Sequence, residues 1–188
     1  LFFCQGNRDC LSGWYLENAN NILKTKGVVQ EKCCNYKNGF NCCNIYCNDK
    51  EIFKINDYYY LNTINQIKDW LINKGPVITR LNVYLDLYSY KYGIYIKQSN
   101  NFRGGHSIMI VGFNDFDNYW IAQNSWGENW GENGYFRIRY GESGVMPYAY
   151  GYDIGKVNPR SPSNGAFQCK SNYLSLGLGI GSIYLLND

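Results

Sequence analysis

The sequence is poor in the residues that mark several large functional classes. It has one histidine and two methionines among 188 residues, and its net charge of +3 is spread without any run of lysine or arginine. Because nucleic acids are bound by concentrated basic surfaces, a nucleic-acid partner is not expected. No two cysteines have the C-x-x-C spacing, and His106 is distant from the main cysteine cluster, so we predict neither a metal site nor a cofactor.

Long hydrophobic runs are also missing. A membrane-spanning helix needs about 20 apolar residues, and the stretch 173–186 (YLSLGLGIGSIYLL) has only 14 apolar or small residues. This region also fits a lipid-anchor signal, which consists of a small-residue site, a polar spacer and a hydrophobic tail. We favour a terminal strand or an unstructured end instead. We therefore divide the chain into a domain over 1–156 and a C-terminal extension over 157–188, which is a hydrophobic anchor or a strand.

The chain starts without methionine or a signal-peptide pattern, which is typical of a mature or truncated chain. Cysteine, in contrast, is abundant, and most of the eight cysteines fall within the first 47 residues. Since zinc is a poor fit, we interpret them as disulfide-forming cysteines, which persist in oxidising compartments. The expected location is therefore outside the cell or in a lysosomal or vacuolar lumen.

The apolar periodicity predicts helices in the first half of the chain. Apolar residues are 45% of the sequence, as in a globular protein. A helix is expected within 13–29, with Leu16, Ala19 and Leu23 on one face and Gly27 as its stop. A second is expected within 62–77, with Asn62 or Thr63 as its cap, Gly75-Pro76 as its end, and one apolar face formed by Ile64, Ile67 and Leu71. A short helix and a turn at Gly93 are expected within 83–95.

From residue 106 onward the pattern changes to that of strands. The continuous apolar run 106–113 predicts a strand buried on both faces. The segments 118–124 and 135–140 alternate or nearly so, with Phe136, Ile138 and Tyr140 on one face of the second. Helices followed by an antiparallel sheet indicate the α+β class.

His106 and Asn124 are the candidate reactive pair. A lone histidine beside an apolar strand is most often structural, and an asparagine at a strand end is often a turn residue. However, His106 is the only histidine in the chain and follows two glycines. If a hairpin at about 113–118 joins the two strands, Asn124 comes beside His106. Its amide oxygen would then fix the imidazole tautomer and leave the other nitrogen for a nucleophile, while Trp126 would exclude water from the bond.

These residues belong to motifs that resemble those of the papain-like cysteine peptidases. The stretches GGHSIMIVGF and YWIAQNSWGENWGENGYFRIRYG are similar to the histidine and asparagine motifs of that family, and the second is long and specific. Shorter similarities are found in CLSGWYLENANNILKTKGVV, NKGPV and YKYGIY. The resemblance extends from residue 4 to about residue 155.

The resemblance implies a fold of two lobes, one helical and one an antiparallel, β-barrel-like sheet, with a peptide-binding cleft between them. It implies that His106 is the general base, that Asn124 orients it and that Trp126 shields the pair. It further implies that Gly13 and Gly105 border the bound peptide, with the Gly13 backbone pairing with an extended chain. Peptide or protein substrates are the expected partners.

The resemblance is incomplete because no cysteine occupies the position of the nucleophile. The family's nucleophile lies roughly 130–150 residues before the histidine, whereas Cys4 is only 102 residues before His106. Cys10 is the nearest alternative, but the register of the surrounding motif places Gly13 in the slot before Trp14. We expect the nucleophile roughly 25–45 residues before Leu1, in the same precursor or on a separate chain.

By the same resemblance, Cys4 pairs with a cysteine of the 33–47 loop, and the partner of Cys10 lies beside the missing nucleophile. The cysteines of a third family disulfide are replaced, one of them near Ser143. Two functions are favoured: a cysteine-type endopeptidase with a Cys-His-Asn mechanism whose cysteine lies outside this chain, and an inactive homologue that binds peptides or other proteins. A structural, disulfide-rich surface protein is the remaining alternative. In each case this chain alone is predicted to be inactive.

Overall fold

The computed structural model describes residues 15–28, 53–145 and 148–154, together with the backbone of Tyr184 and Leu185. Two α-helices lie in these ranges: α1 (Leu16–Thr25) and α2 (Ile64–Asn73). The strands are β1 (Asp57–Leu61), β2 (Val77–Tyr84), β3 (Ile94–Tyr95), β4 (Phe102–Asn114), β5 (Tyr119–Gln123), β6 (Tyr135–Arg139), β7 (Ala149–Asp153) and β8 (Tyr184–Leu185). All eight cysteines, Gly13 and the boundary at residue 156 lie outside the described residues, as do nearly all residues of the C-terminal extension.

Helix α1 forms where the first helix was expected, and tyrosines of the sheet hold it in place. Leu16 and Ala19 are buried, and the chain leaves the helix through Gly27, whose positive φ of 77° suits glycine. The hydroxyl groups of Tyr150, Tyr152 and Tyr58 donate hydrogen bonds to Glu17, Asn20 and Asn21, at 2.5, 2.7 and 2.9 Å. The helix is therefore docked on the sheet by polar as well as apolar contacts.

Helix α2 begins with a reciprocal cap. The Thr63 hydroxyl oxygen accepts the backbone N–H of Gln66, and the Gln66 side chain accepts the backbone N–H of Asn62. Ile67 and Leu71 are buried, as expected, but Ile64 is 47% exposed, so its predicted place on the buried face was wrong. Ile64 is the first residue of the helix, where the apolar stripe has not yet turned toward the sheet.

The strands form one sheet in the order β1-β7-β2-β4-β5-β6-β3, with β8 paired to β4 as an additional strand. All pairs are antiparallel except β3 with β6, which is parallel. The predicted α+β class is thus confirmed, although β1, β3, β7 and most of β2 were not predicted as strands. The segment expected as a short helix from residue 83 begins instead inside β2, and a 3-10 helix follows at Leu85–Ser89.

Strand β4 is the central element of the sheet and the one that carries His106. Its residues Ile108 and Ile110 are buried, but the alternate residues Ser107, Met109 and Val111 are only half-buried. The expectation of a strand buried on both faces was therefore wrong, because only one face of β4 lies against the core. That core is built from β2, β4, β5, β6 and α2 around the fully buried side chains of Trp120, Phe136, Ile138, Val77 and Leu81.

Close approach between α2 and β7 depends on one glycine. A Cβ atom at Gly151 would lie 2.2 Å from the Trp70 ring, a distance that real structures do not show. Because glycine lacks that atom, the indole of Trp70 packs directly on the β7 backbone. This contact holds α2 close to β7, while Lys68 of the same helix bonds Asp115 in the turn between β4 and β5.

Candidate active site

His106 lies within β4, and Asn124 follows the last residue of β5. The turn 115–118 joins the two strands, and their pairing runs from Asn114 opposite Tyr119 to Met109 opposite Gln123. Strand β4 continues past its pairing with β5 toward its own start, and Asn124, just beyond β5, lies close to that earlier part of β4. His106 was expected to begin its strand. This was wrong, because β4 already begins at Phe102.

The structure brings the two side chains into direct contact. The His106 Nε2 and Asn124 Oδ1 atoms are 2.8 Å apart, and the bond is buried. The same Oδ1 atom accepts the backbone N–H of Ser125 at 2.8 Å, which fixes which end of the amide faces the ring. Because Oδ1 can only accept, Nε2 carries the proton and Nδ1 is left with a free lone pair. The pair therefore holds the imidazole in one tautomer.

Trp126 covers this hydrogen bond. Its ring stacks on the imidazole of His106 with centroids 5.2 Å apart and planes inclined by 29°. Tyr88 stacks on Trp126 in turn at 4.9 Å, and Trp130 meets it edge-on at 5.0 Å. His106 is only 1% exposed within this aromatic group, so its hydrogen bond to Asn124 is screened from water.

Three polar atoms of the site have no hydrogen-bond partner among the described residues. These buried atoms are His106 Nδ1, Asn124 Nδ2 and Trp126 Nε1. An unsatisfied buried polar atom costs about 1–3 kcal/mol, so native proteins retain few of them. Their clustering at one place indicates a site that is arranged for further polar groups.

Burial also controls the charge of the histidine. Removal from water lowers the pKa of His106, and the hydrogen bond to Asn124 opposes that shift only in part. The neutral ring is favoured as a result. An anionic partner close to Nδ1 would reverse this balance, because it would stabilise the imidazolium.

A carboxylate that was not expected from the sequence holds the loop beyond Trp126. Glu132 Oε1 accepts hydrogen bonds from the Tyr90 hydroxyl at 2.9 Å, from the backbone N–H of Gly93 at 3.0 Å and from Arg137 Nη2 at 2.7 Å. Burial raises the pKa of Glu132, but the bonds from Arg137, Tyr90 and Gly93 outweigh this and hold it below its ordinary value. The indole N–H of Trp130 adds bonds to the carbonyl groups of Leu87 and Tyr88, both at 3.2 Å. This part of the loop is therefore fixed to the 3-10 helix at Leu85–Ser89 and to the turn that follows it.

The remaining residues expected at the site are placed as follows. Gly105 lies in β4 directly before His106, with Asn82 opposite it on β2 and Leu185 opposite it on β8. Gly13 lies outside the described residues. Within the ranges described, no group of three or more histidine, cysteine, aspartate or glutamate side chains could hold a metal ion. Neither described helix is long and apolar enough to cross a membrane.

The comparison with known families identifies the class of protein. The papain family cysteine protease domain matches residues 1–152, so the chain belongs to the papain family of cysteine proteases. It is 41% identical over 115 residues to the cathepsin B-like cysteine proteinase 4 of Caenorhabditis elegans, which covers 60% of this chain and 34% of that protein. It is 29% identical over 167 residues to the cathepsin B of Dictyostelium discoideum, with 76% and 51% covered. The chain thus spans about a third to a half of these relatives' length.

Solved structures agree on the fold. The procathepsin B S9 of Trypanosoma congolense superposes with a TM-score of 0.63 at 24% identity, over 73% of this chain and 52% of that one. The digestive procathepsin L 3 of the Tenebrio molitor larval midgut gives the same TM-score and identity, over 76% and 49%. The predicted papain-like fold is confirmed by both.

Proposed function

We propose that the protein is a cysteine-type endopeptidase in which His106 and Asn124 act with a cysteine outside this chain. The observation that carries the proposal is the buried 2.8 Å bond between His106 Nε2 and Asn124 Oδ1. It assigns the proton to Nε2 and so leaves Nδ1 as the base. Family membership supports the reaction class, and the substrates are peptides or proteins.

In the proposed mechanism, His106 Nδ1 removes the proton from the nucleophilic thiol and a thiolate–imidazolium pair forms. The thiolate attacks the peptide carbonyl carbon, and the imidazolium then protonates the leaving amine while a thioester remains. Water, deprotonated by His106, attacks the thioester, and the thiol is released again. Asn124 keeps the ring oriented throughout, and Trp126 keeps water away from their bond.

Gly105 and Gly13 are the proposed contacts to the substrate backbone. Gly105 precedes His106 in β4 and has no side chain to obstruct a peptide near the reacting atoms. The pairing of β8 with β4 at Gly105 and His106 supports the idea that this edge accepts an extended chain. Gly13 lies three residues before Leu16, the first residue of α1, and would pair with the peptide from the other side.

A second function, an inactive homologue that binds peptides or proteins, is favoured by one departure from the family pattern. None of the eight cysteines lies at the expected distance before His106. The retention of His106, Asn124 and Trp126 argues for the enzyme, because peptide binding alone does not need a fixed imidazole tautomer. Disulfide bonds and a secreted or lysosomal location are part of the proposal in both cases.

Hydrolysis by the assembled protein tests the proposal. The assembled protein means this chain together with the segment that supplies the nucleophile, and Asn124→Ala is the variant. We expect wild-type protein to hydrolyse fluorogenic peptides and the variant to lose about 10- to 100-fold in kcat/KM, since the loss of one hydrogen bond to a charged group costs about 1.5–3 kcal/mol. Asn129→Ala, an exposed change in the same loop, should have little effect. Hydrolysis that is insensitive to Asn124→Ala would contradict the proposed roles.

A further inference from the structure

Arg80 is a half-buried cation beside the candidate site. It lies in β2 directly opposite Ser107, the residue that follows His106 in β4. Along β2 the core side chains Val77, Thr79, Leu81 and Val83 alternate with Ile78, Arg80 and Asn82. Arg80 therefore shares a face with Ile78 and Ser107, on the side of the sheet away from the main core.

This face is also the one on which the start of α1 packs. Ile78 forms a small cluster with Leu16 and Tyr150, against which Tyr148 is partly packed. Leu16 is the first residue of α1, so the cluster joins that helix end to the sheet. Two positions further along β2 comes Arg80, still on this face and beside the part of β4 that carries His106.

Arg80 has no counter-ion in the described part of the chain. The ion pairs there are Lys24 with Asp57, Lys68 with Asp115, and Arg137 with Glu132. Glu17, the acid at the start of α1, is engaged by the Tyr150 hydroxyl. A charged side chain that is withdrawn from water without a partner is unfavourable, so such a residue is rarely kept without a role.

A second unsatisfied group faces the same place. The Ser107 hydroxyl oxygen is buried and has no hydrogen-bond partner among the described residues. Ser107 and Arg80 are register partners, so their Cα atoms are about 5 Å apart and their side chains project from the same face. A guanidinium and a hydroxyl in this arrangement offer several donors to one carboxylate.

We infer that Arg80 and Ser107 bind an acidic side chain of the peptide substrate close to the bond that is cleaved. Ser107 adjoins His106, and an extended peptide advances about 3.3 Å per residue, so the acidic residue lies within about two residues of that bond. This inference rests on the proposed function. It adds a preference for aspartate or glutamate that the catalytic pair itself does not require.

The test uses peptide pairs that differ only in charge. Each pair carries glutamate or glutamine at one of the two positions on either side of the cleaved bond, and kcat/KM is measured with the assembled protein. At one position we expect glutamate to be preferred by about 10-fold or more, as for a charge-assisted bond. Arg80→Gln should abolish the preference, Arg80→Lys should retain part of it, and Ser107→Ala should reduce it.

Arg139→Gln is the matched control, because Arg139 is an exposed arginine of β6 and should leave the preference intact. An unchanged ratio of glutamate to glutamine rates in Arg80→Gln, or an equal loss for both peptides, would overturn the inference. If the assembled protein cleaves neither peptide, the proposed enzyme function fails. In that case the Kd of each intact peptide is measured by fluorescence anisotropy. The ratio of the Kd values for the glutamate and glutamine peptides then tests the role of Arg80 separately.

Discussion

The Asn124 amide oxygen is the residue-scale feature that defines the site. It accepts from the His106 ring and from the Ser125 backbone, each at 2.8 Å, so both the amide and the imidazole have one orientation. The long motif around Asn124 allowed this pair to be predicted from the sequence, because strands joined by a short turn bring their residues side by side. Glu132 was not predicted, because its partner atoms on Tyr90 and Gly93 lie about 40 positions away in the chain.

The pKa of His106 can be measured directly, since it is the chain's only histidine. We expect an NMR titration of this chain to place the pKa below the ordinary value of about 6.5, because burial disfavours the charged ring. Trp126→Ala should raise it by admitting water. Since the pKa in the folded state is depressed, this group's contribution to stability is full above pH about 6.5 and is lost as the pH falls below that value. A pKa above 6.5 in this chain would refute the buried, neutral ring.

At the scale of elements, the loop between β5 and β6 is organised by contacts to the 3-10 helix and turn that precede β3. Glu132 binds Tyr90, Gly93 and Arg137, and Trp130 binds the carbonyl groups of Leu87 and Tyr88. Trp130 of this loop contacts Trp126 edge-on, and Trp126 stacks on the ring of His106. The loop therefore supports the site and also contributes Asn124 and Trp126 to it.

Removal of the Glu132 carboxylate should loosen this support. Glu132→Ala breaks the bonds to Tyr90, Gly93 and Arg137, and we expect the free energy of unfolding to fall by about 1–3 kcal/mol in urea titrations. The estimate is modest because the pair with Arg137 is partly exposed. Glu128→Ala, an exposed change in the same loop, is the control and should change stability by less than about 0.5 kcal/mol.

The pH dependence of this support has the same sense as that of His106 but lies at lower pH. The pKa of Glu132 is held below its ordinary value, so its contribution is present above the unfolded pKa of about 4.3 and is lost as the pH falls through the folded pKa. Equal stability of Glu132→Ala and wild type at neutral pH would contradict this account of the loop.

Local signals in the sequence were sufficient for the helices and for β4 to β6, but not for β1 and β2. Thr63, Gln66 and Gly27 act through neighbours within a few residues, so their effects are readable locally. Strand β1 (Asp57–Leu61) is rich in tyrosine and lies at the edge of the sheet, where apolar alternation is weak. Strand β2 does alternate from Arg80 to Tyr84, but a helix was expected from residue 83 onward.

For the whole molecule, the central proposal is that this chain supplies the histidine and asparagine of a cysteine peptidase whose nucleophile lies outside it. The family match over residues 1–152 and the fold of the procathepsins support the class. The sequence departs from the family pattern at its cysteine positions, and these lie outside the described residues. Pairing of the missing thiol with His106 Nδ1 is therefore the step on which the proposed activity depends.

Identification of the reactive cysteine tests this claim most directly. The assembled protein is labelled with a thiol-reactive epoxide, and the modified residue is located by peptide mass spectrometry. We predict one labelled cysteine that precedes Leu1 or belongs to a separate chain, and we predict that His106→Ala suppresses the labelling. Stoichiometric labelling of Cys10, or of any other cysteine within these 188 residues, would contradict the account.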